Sequence, residues 1–280
     1  MNPTLVRYMK LSTFLALVFQ KETFWPSVTT LRQGDPREGL LCDDYEAIWE
    51  NVAVSDEAEK WMMESDAHGW QNFVSLNKDN HAVLQNAFAQ AYVDFLSRLR
   101  AIWCWFEANP ENPREESAAM WDIYGREGIA IVSSLESVRA SIPLETRAER
   151  LRYVPREAAR RDVLQQVVRE DPDVAKNPFL LKASDYIHEK ELRIFAICPF
   201  GRSGLQVENI DVDKLIHEVV ISPDIHPSEA KAIEVLLNGR FKVRRSEMKR
   251  DHKSSQFLDG MDEFFEKMEY DNLPGFLKNL

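Results

Sequence analysis

Hydrophobic residues recur along this chain with two spacings, one helical and one strand-like. Residues 11–19 place apolar side chains three or four positions apart and predict a helix, whereas residues 23–28 are aromatic and β-branched and predict a strand. From position 80 the helical spacing returns and continues to position 102, which predicts a long amphipathic helix. The apolar run 102–106 fits either the end of that helix or a buried strand.

The middle of the chain carries start and stop signals for a helix. Asn112 is a capping residue, Pro113 suits the first helical position, and a glutamate follows three residues after the cap. A helix is therefore predicted from there to about Tyr124, with Gly125 as its end. Residues 128–134 are apolar on both faces, which is typical of a central strand.

The carboxyl-terminal half mixes strands and helices without a regular order. Residues 189–197 alternate with a period of two and predict a strand. Further strands are predicted at 151–154, 219–222 and 241–244, and helices at 157–168 and 227–237. The irregular order predicts an α+β fold, with a mixed central β-sheet and surrounding helices in a single domain over residues 1–280. Residues 40–100 are predicted to form a helical insertion within it.

Length, charge and cysteine content narrow the class of protein. A chain of 280 residues can bury a sizeable core without disulfides or metals. Its net charge of −11 disfavours non-specific binding to nucleic acid or to an anionic membrane. The longest apolar run, 14–19, is too short to span a membrane, and three widely spaced cysteines fit a reducing cytoplasm. We expect a cytoplasmic protein that neither enters a membrane nor holds a metal, since no Cys or His pair has zinc spacing.

The strongest candidate for chemistry is the predicted strand that begins at Glu189. The alternation places Glu189, Glu191 and Arg193 on one face and aliphatic side chains on the other. Two carboxylates held close together repel, which raises one pKa and suits acid–base work or stabilisation of a developing cation. The competing interpretation is a solvated face on which Arg193 neutralises Glu191.

Three further features carry polar groups among apolar neighbours. Arg7, flanked by apolar residues, could bind a phosphate or pair with one of the two glutamates. Trp121 and Tyr124 share a helical face that could stack on a flat ligand or pack in the core. Ser133 ends an apolar strand, where its hydroxyl could orient a ligand or bond to the backbone.

The chain resembles a bacterial family described as domain of unknown function 2971. The resemblance runs through nearly the whole chain in order. It is carried by 5–9, the Asp-Pro-x-Glu-Gly loop at 35–39, the Cys-Trp pair at 104–105, Glu-Ser-x-x-Met-Trp-x-x-Tyr at 116–124, Gly-Ile-Ala-Ile at 128–131, 179–182, His-Glu-Lys-Glu-Leu-Arg at 188–193, and 219–223. The family name implies no activity, although its members often lie near prophage or defence genes.

The chain is also distantly similar to ADP-ribosyltransferases, which carry an Arg or His on the first strand, a Ser or aromatic second motif, and a Glu-x-Glu strand. The likeness implies an ADP-ribosyltransferase-like fold and NAD as the substrate. By that likeness Arg7 would bind NAD, Ser133 would brace the site, and Glu191 would stabilise the ribosyl cation. Trp121 or Tyr124 would stack on nicotinamide. Glu189 would orient a macromolecular acceptor, as in a toxin or a phage-defence effector.

Two other functions stay open on the sequence. Glu247-x-Lys249 resembles the tail of a metal-dependent nuclease motif, and eight arginines within 139–170 could meet phosphate. The net charge does not favour nucleic acid as a partner. The acidic region 43–70, with three tryptophans, instead fits a non-enzymatic protein of a defence system that binds a partner protein or a second copy of itself.

Overall fold

A computed structural model describes most of the predicted sheet and its flanking helices. It covers residues 2–33, 97–154, 178–199 and 202–248, with residues 72, 75–77, 79–80 and 83 between them. Most of the predicted insertion at 40–100, the loop at 35–39 and the predicted helix at 157–168 lie outside the described residues. In the described part, no helix has the length and apolar character needed to cross a membrane.

Seven strands form the central sheet. They are β1 (Thr4–Lys10), β3 (Arg100–Glu107), β4 (Gly128–Ser134), β5 (Arg147–Arg150), β8 (Glu191–Ile197), β10 (Glu218–Ile221) and β11 (Lys242–Arg245). Their order across the sheet is β11-β10-β4-β1-β3-β8-β5, and each neighbouring pair is antiparallel except β10 with β11. The mixed, mostly antiparallel sheet confirms the α+β class.

Short elements cover the sheet and join its strands. Two small sheets pair β2 (Thr23–Pro26) with β9 (Gly204–Val207), and β6 (Arg152–Val154) with β7 (Leu181–Ala183). The helices whose full bounds lie in the described residues are α1 (Leu11–Leu15), α2 (Val28–Leu31), α3 (Ala118–Met120), α4 (Leu135–Ser141), α5 (Val212–Leu215) and α6 (Pro227–Leu237). Helices α1 and α3 continue as π-helical turns, Ala16–Gln20 and Trp121–Gly125, and 3₁₀ turns occupy Pro178–Leu180 and Ser184–Glu189.

Both faces of the sheet are packed, because side chains of successive residues point to opposite sides of a strand. The larger core covers the face that includes Leu5 and Met9, where the Trp25 and Trp103 rings stack with centroids 5.0 Å apart. The smaller core covers the other face and includes Tyr8, whose ring meets Trp121 edge to face.

The sequence pattern located several elements well. Strand β4 spans the predicted residues 128–134, and α6 spans the predicted 227–237. The apolar run 102–106 is a buried part of β3 and not the end of a helix, since β3 begins at Arg100. The segment 241–244 is confirmed as an edge strand, shifted by one residue in β11.

The helix predicted from Asn112 begins later than expected. Residues before it form turns, in which the Glu115 carboxylate accepts from the backbone N–H of Asn109. Ser117 is the actual cap, because its hydroxyl accepts from the backbone N–H of Met120. The predicted Pro signal at 113 is therefore overridden by a better-placed serine.

The two central strands β1 and β3 separate, and this separation positions the site described below. Their register pairs Leu5 with Glu107 and Val6 with Phe106. Farther along β3, Ala101 instead forms a bridge with Ser27, at the end of β2. The next residue of β1, Arg7, therefore lies at the edge of an opening between two strands of one sheet.

Candidate functional site

A cavity of about 460 Å³ lies at the opening between β1 and β3. Its wall carries five charged side chains from three strands and a 3₁₀ turn: Arg7, Lys182, Glu189, Glu191 and Arg193. Tyr124 and Tyr186 contribute aromatic rings, and Pro26, Leu31, Met120 and Ile123 contribute apolar surface. A mainly apolar concavity with a few convergent polar groups is typical of a small-molecule site.

Strand β8 supplies Glu191 and Arg193 to this cavity. Leu192 and Ile194 lie in the larger core, so alternation places Glu191 and Arg193 on the opposite face. The Arg193 Nε donates to Glu191 Oε1 over 2.8 Å, and Arg193 Nη1 donates to the Phe179 carbonyl over 2.7 Å. The predicted neutralisation of Glu191 by Arg193 therefore occurs in a buried site and not on a solvated face.

Glu189 reaches the same site by a different route from the one expected. It is not part of the strand, because it ends the 3₁₀ turn Ser184–Glu189, and β8 begins only at Glu191. Between them Lys190 has a left-handed backbone with φ of 38°. This turn of the backbone brings the two carboxylates together, and strand alternation does not.

Lys182 of β7 joins the two carboxylates. Its Nζ lies 2.5 Å from Glu189 Oε2 and 3.2 Å from Glu191 Oε2. All of these groups are buried, with Lys182 9% and each glutamate 5% exposed. We call Lys182, Glu189, Glu191 and Arg193 the cavity cluster. Paired cations and hydrogen bonds are what allow two carboxylates to remain charged in a buried site.

The two carboxylates of the cavity cluster have opposite pKa shifts. Burial raises the pKa of Glu189, and Lys182 opposes that shift in part. Burial also acts to raise the pKa of Glu191, but Arg193 and Lys182 outweigh it and lower that pKa to about 2. Glu191 is therefore a fixed negative charge near neutral pH, whereas Glu189 is the group closer to titration.

Arg7 lines the cavity, and within the described residues one backbone carbonyl is its hydrogen-bond acceptor. Its NH1 donates to the Cys104 carbonyl, and its guanidinium lies 5.5 Å from the centroid of the Trp103 ring. Among the described residues it forms no ion pair within 4 Å with a carboxylate, so the alternative in which Arg7 pairs with Glu189 or Glu191 is not formed, although the charge of Glu191 acts to raise the pKa of Arg7. Burial lowers the pKa of Arg7 to about 10, which leaves it charged near neutral pH. A guanidinium with five N–H donors and this anchoring is suited to an anionic ligand.

Tyr124 lies at the rim of the cavity. It is 44% exposed, and its hydroxyl donates to Glu189 Oε1 over 3.2 Å. Burial raises the pKa of Tyr124, with Glu189 acting in the same direction, so the hydroxyl remains a donor near neutral pH. An aromatic ring that is partly exposed beside a cavity is suited to stacking on a flat ligand.

Two of the candidate residues lie elsewhere. Trp121 is fully buried in the smaller core, and its Nε1 donates to Glu116 Oε2 over 3.0 Å. Ser133 pairs with Leu5 in the sheet register, which places it on the face opposite Glu191. Its hydroxyl donates to the Ser134 carbonyl over 3.4 Å. The structure thus brings together Arg7, Tyr124 and the two glutamates, without Trp121 or Ser133.

Sequence reasoning missed three contributors to the site. Lys182 follows the apolar run 179–181, and a lysine attached to such a run is a signal for a buried, paired cation. The Tyr153 hydroxyl accepts from the backbone N–H of Glu191 over 2.8 Å. Cys104 lines the cavity beside Glu191, and burial raises the pKa of its thiol, so it stays protonated.

Several residues that supported the nuclease and partner-binding alternatives lie outside the described residues. Lys249 and the three tryptophans within 35–70 lie outside the described residues. Glu247 forms a surface ion pair with Arg114 at 4.0 Å. Within the described ranges, no group of three or more His, Cys, Asp or Glu side chains is placed to hold a metal ion.

No protein-family model, curated protein or solved structure matches the chain. The arrangement itself offers a charged guanidinium for an anion, a fixed carboxylate, a second carboxylate nearer to titration, and an aromatic rim. These groups can bind a phosphorylated ligand and stabilise positive charge that develops next to Glu191.

Proposed function

We propose that this protein is an NAD-consuming enzyme similar to ADP-ribosyltransferases, with the cavity between β1 and β3 as its NAD site. One observation carries the proposal: Arg7, which forms no direct ion pair with a carboxylate among the described residues, lines the same cavity as Glu191. Arg7 would bind the diphosphate of NAD, and Tyr124 would stack on the nicotinamide ring. Glu191 would lie beside the ribose whose glycosidic bond breaks.

The chemistry follows from the charges in the cavity. As the bond between ribose C1′ and the nicotinamide nitrogen breaks, its electron pair leaves with nicotinamide and positive charge develops on the sugar. The fixed Glu191 carboxylate stabilises that charge, as carboxylates do in glycoside cleavage. Water or a macromolecular acceptor then bonds to C1′ and loses a proton. Glu189, whose pKa burial raises, is the nearby carboxylate suited to accept it.

The sequence supports the same proposal independently. Arg7 and Glu189-x-Glu191 occur in the order that ADP-ribosyltransferases have, and the mixed sheet carries Arg7 in β1 and Glu191 in β8. The resemblance to domain of unknown function 2971 adds a biological setting, in which the protein acts in the cytoplasm as a toxin or phage-defence effector. We propose NAD as the substrate and a macromolecule as the acceptor, with NAD hydrolysis as the simplest form of the reaction.

Nicotinamide release from NAD by the purified full chain tests the proposal. We expect release by the wild type and a loss of about 100-fold or more in Glu191→Gln, since removal of one preorganised charge contact typically has an effect of that size. Glu149→Gln is the matched control, because Glu149 lies opposite Arg193 on the neighbouring strand β5 and pairs with the exposed Arg147.

Addition of a metal chelator separates this function from a metal-dependent nuclease, since the proposed reaction needs no metal. Release that survives the chelator and the control substitution, but not Glu191→Gln, supports the proposal. A wild-type protein that neither releases nicotinamide nor binds NAD contradicts it.

A further inference from the structure

We propose that Lys182 is the positioning residue of this site: it holds the carboxylates of Glu189 and Glu191 together and stabilises the charged form of Glu189. The inference rests on the proposed function for its kinetic consequences, but the contact itself belongs to the structure. Lys182 contributes no bond to the reaction. Because it acts through Glu189, its loss should change the pH dependence of the reaction, which a general loss of packing would not do.

The geometry singles out Lys182 among the cations of the cavity. Its Nζ contacts both carboxylates, and Arg193 contacts Glu191 through Nε and Nη2. The ammonium also lies 4.9 Å from the centroid of the Tyr186 ring. The Tyr186 ring and the carboxylates of Glu189 and Glu191 thus hold the Lys182 ammonium in place.

Lys182 and the two glutamates come from three separate elements of the fold. Strand β7 is three residues long and pairs in parallel with β6, outside the main sheet. The two carboxylates come from the 3₁₀ turn and from β8. Three separate elements therefore meet at one ammonium nitrogen, and the relative position of the carboxylates depends on it.

Each packed element contributes charged or titratable groups to this site, and these set how Glu189 responds. The groups are Arg7 from β1, Cys104 from β3, Tyr124 from the π-helical turn, Tyr153 from β6, Lys182 from β7, Tyr186 from the 3₁₀ turn, and Glu191 and Arg193 from β8. Of these, Lys182 and the Tyr124 hydroxyl contact Glu189 directly. Without the ammonium of Lys182, Glu191 keeps Arg193 as its partner. Glu189 is then left with one neutral donor, the Tyr124 hydroxyl, and with the negative charge of Glu191 nearby.

The physical consequence is specific to Glu189. Burial already raises its pKa, and Lys182 is the largest influence that lowers it. Removal of Lys182 should therefore raise the pKa of Glu189 further, so that the carboxyl takes up a proton nearer to neutral pH. Any reaction step that needs charged Glu189 then fails at acidic pH and recovers as the pH rises.

The test compares Lys182→Met and Lys182→Arg with the wild type across a pH series of nicotinamide release. In Lys182→Met the acidic limb of the profile should move upward by about one pH unit, which is roughly a tenfold loss at a fixed acidic pH. Lys182→Arg, which keeps the positive charge, should leave the limb where it is. Lys242→Met is the matched control, because Lys242 pairs with Glu218 over 2.8 Å at the far edge of the sheet.

A double substitution shows whether Lys182 acts through Glu189. Lys182→Met combined with Glu189→Gln should release nicotinamide within about twofold of Glu189→Gln alone, because the group on which Lys182 acts is then absent. An equal loss at every pH in Lys182→Met, with no rescue by arginine, would mean a merely structural role and would overturn the inference. If Lys182→Met does not fold, a displaced acidic limb in Lys182→Arg would overturn it instead.

A titration independent of activity separates the inference from the proposed function. Carboxyl ¹³C NMR of Glu189 should give a higher pKa in Lys182→Met than in the wild type, whether or not the protein cleaves NAD. An unchanged Glu189 titration refutes the role of Lys182. A raised Glu189 pKa in a protein that releases no nicotinamide refutes the proposed function alone.

Discussion

Two ionic clusters among the described residues differ in a way that separates a site from a scaffold. The edge cluster, defined as Glu116, Glu218, Lys242 and Arg244, joins β10 and β11 to the segment before α3. Arg244 joins the two carboxylates of this cluster. Its Nη1 lies 2.5 Å from Glu116 Oε1, and its Nε lies 3.2 Å from Glu218 Oε2. Trp121 Nε1 and the Ser246 hydroxyl also donate to Glu116.

The carboxylates of the edge cluster have pKa shifts of one sign. Burial acts to raise the pKa of Glu116 and of Glu218, but the cations and donors around each one outweigh it, so both are lowered. In the cavity cluster the two carboxylates are shifted in opposite directions. Environments that drive neighbouring pKa values apart are typical of acid–base sites, whereas uniformly satisfied carboxylates are typical of structural networks.

A second difference concerns arginine. Arg244 is bonded to carboxylates on both sides, whereas Arg7 is held by one backbone carbonyl and a ring and faces a cavity. Both clusters should therefore stabilise the fold, but the cavity cluster with Arg7 should also bind a ligand.

The largest expected effect is on stability in the cavity cluster. Arg193→Met leaves Glu191 with a single cation in a buried site, and removal of one partner from a buried pair typically costs about 3–5 kcal/mol. Arg244→Met should cost less, because the Arg244 side chain is 15% exposed and that of Arg193 is 1% exposed. Denaturant unfolding of both variants measures the difference, and a cost below about 1 kcal/mol for Arg193→Met would argue against a tightly paired cluster.

The pH dependence of stability sharpens the comparison. The pKa of Glu191 is about 2 in the folded protein and near 4.3 when unfolded, so its stabilising contribution is present above about pH 5 and is lost as the pH falls towards 2. Glu116 and Glu218 act in the same direction. Thermal unfolding of Glu191→Gln should therefore depend less on pH in this acidic range than that of the wild type. The exposed Glu136→Gln serves as the control, and an unchanged acid dependence in Glu191→Gln would contradict the lowered pKa.

The smallest expected effect is at the rim. Tyr124→Phe keeps the ring but removes the hydroxyl that donates to Glu189, which slightly favours the protonated carboxyl. We expect nicotinamide release to fall by about three- to tenfold at acidic pH, in line with the loss of one hydrogen bond to a charged group, and by less at higher pH. A loss as large as that of Glu191→Gln would mean that the Tyr124 hydroxyl has a direct part in the reaction.

Local pattern was enough to predict the scaffold and part of the site. The apolar run of β4 and the proline start of α6 are short-range signals, and both elements occur where the sequence predicts them. Alternation along β8 likewise predicted that Glu191 and Arg193 share a face. Glu189 lies beside them because Lys190 has a left-handed backbone, which alternation along a strand does not predict.

Features that depend on tertiary contacts were beyond a sequence pattern. Lys182 lies in a three-residue strand whose partner, β6, is more than twenty residues away along the chain. The apolar run before it indicates a buried, paired cation, but not which carboxylates it meets. The place of Arg7 depends on the separation of β1 from β3. Trp121 and Tyr124 were predicted to share a face, but the π-helical turn changes the angular spacing, and one ring is buried while the other is half exposed.

The most direct test of the account is the binding of ADP-ribose, measured by calorimetry for the wild type, Arg7→Lys and Arg244→Lys. The account predicts that the wild type binds and that Arg7→Lys weakens binding by about tenfold or more, because lysine keeps the charge but loses the planar donors that match a phosphate. Arg244→Lys should bind as the wild type does. Equal binding by Arg7→Lys and the wild type, or no binding by the wild type, would contradict the assignment of this cavity as a nucleotide site.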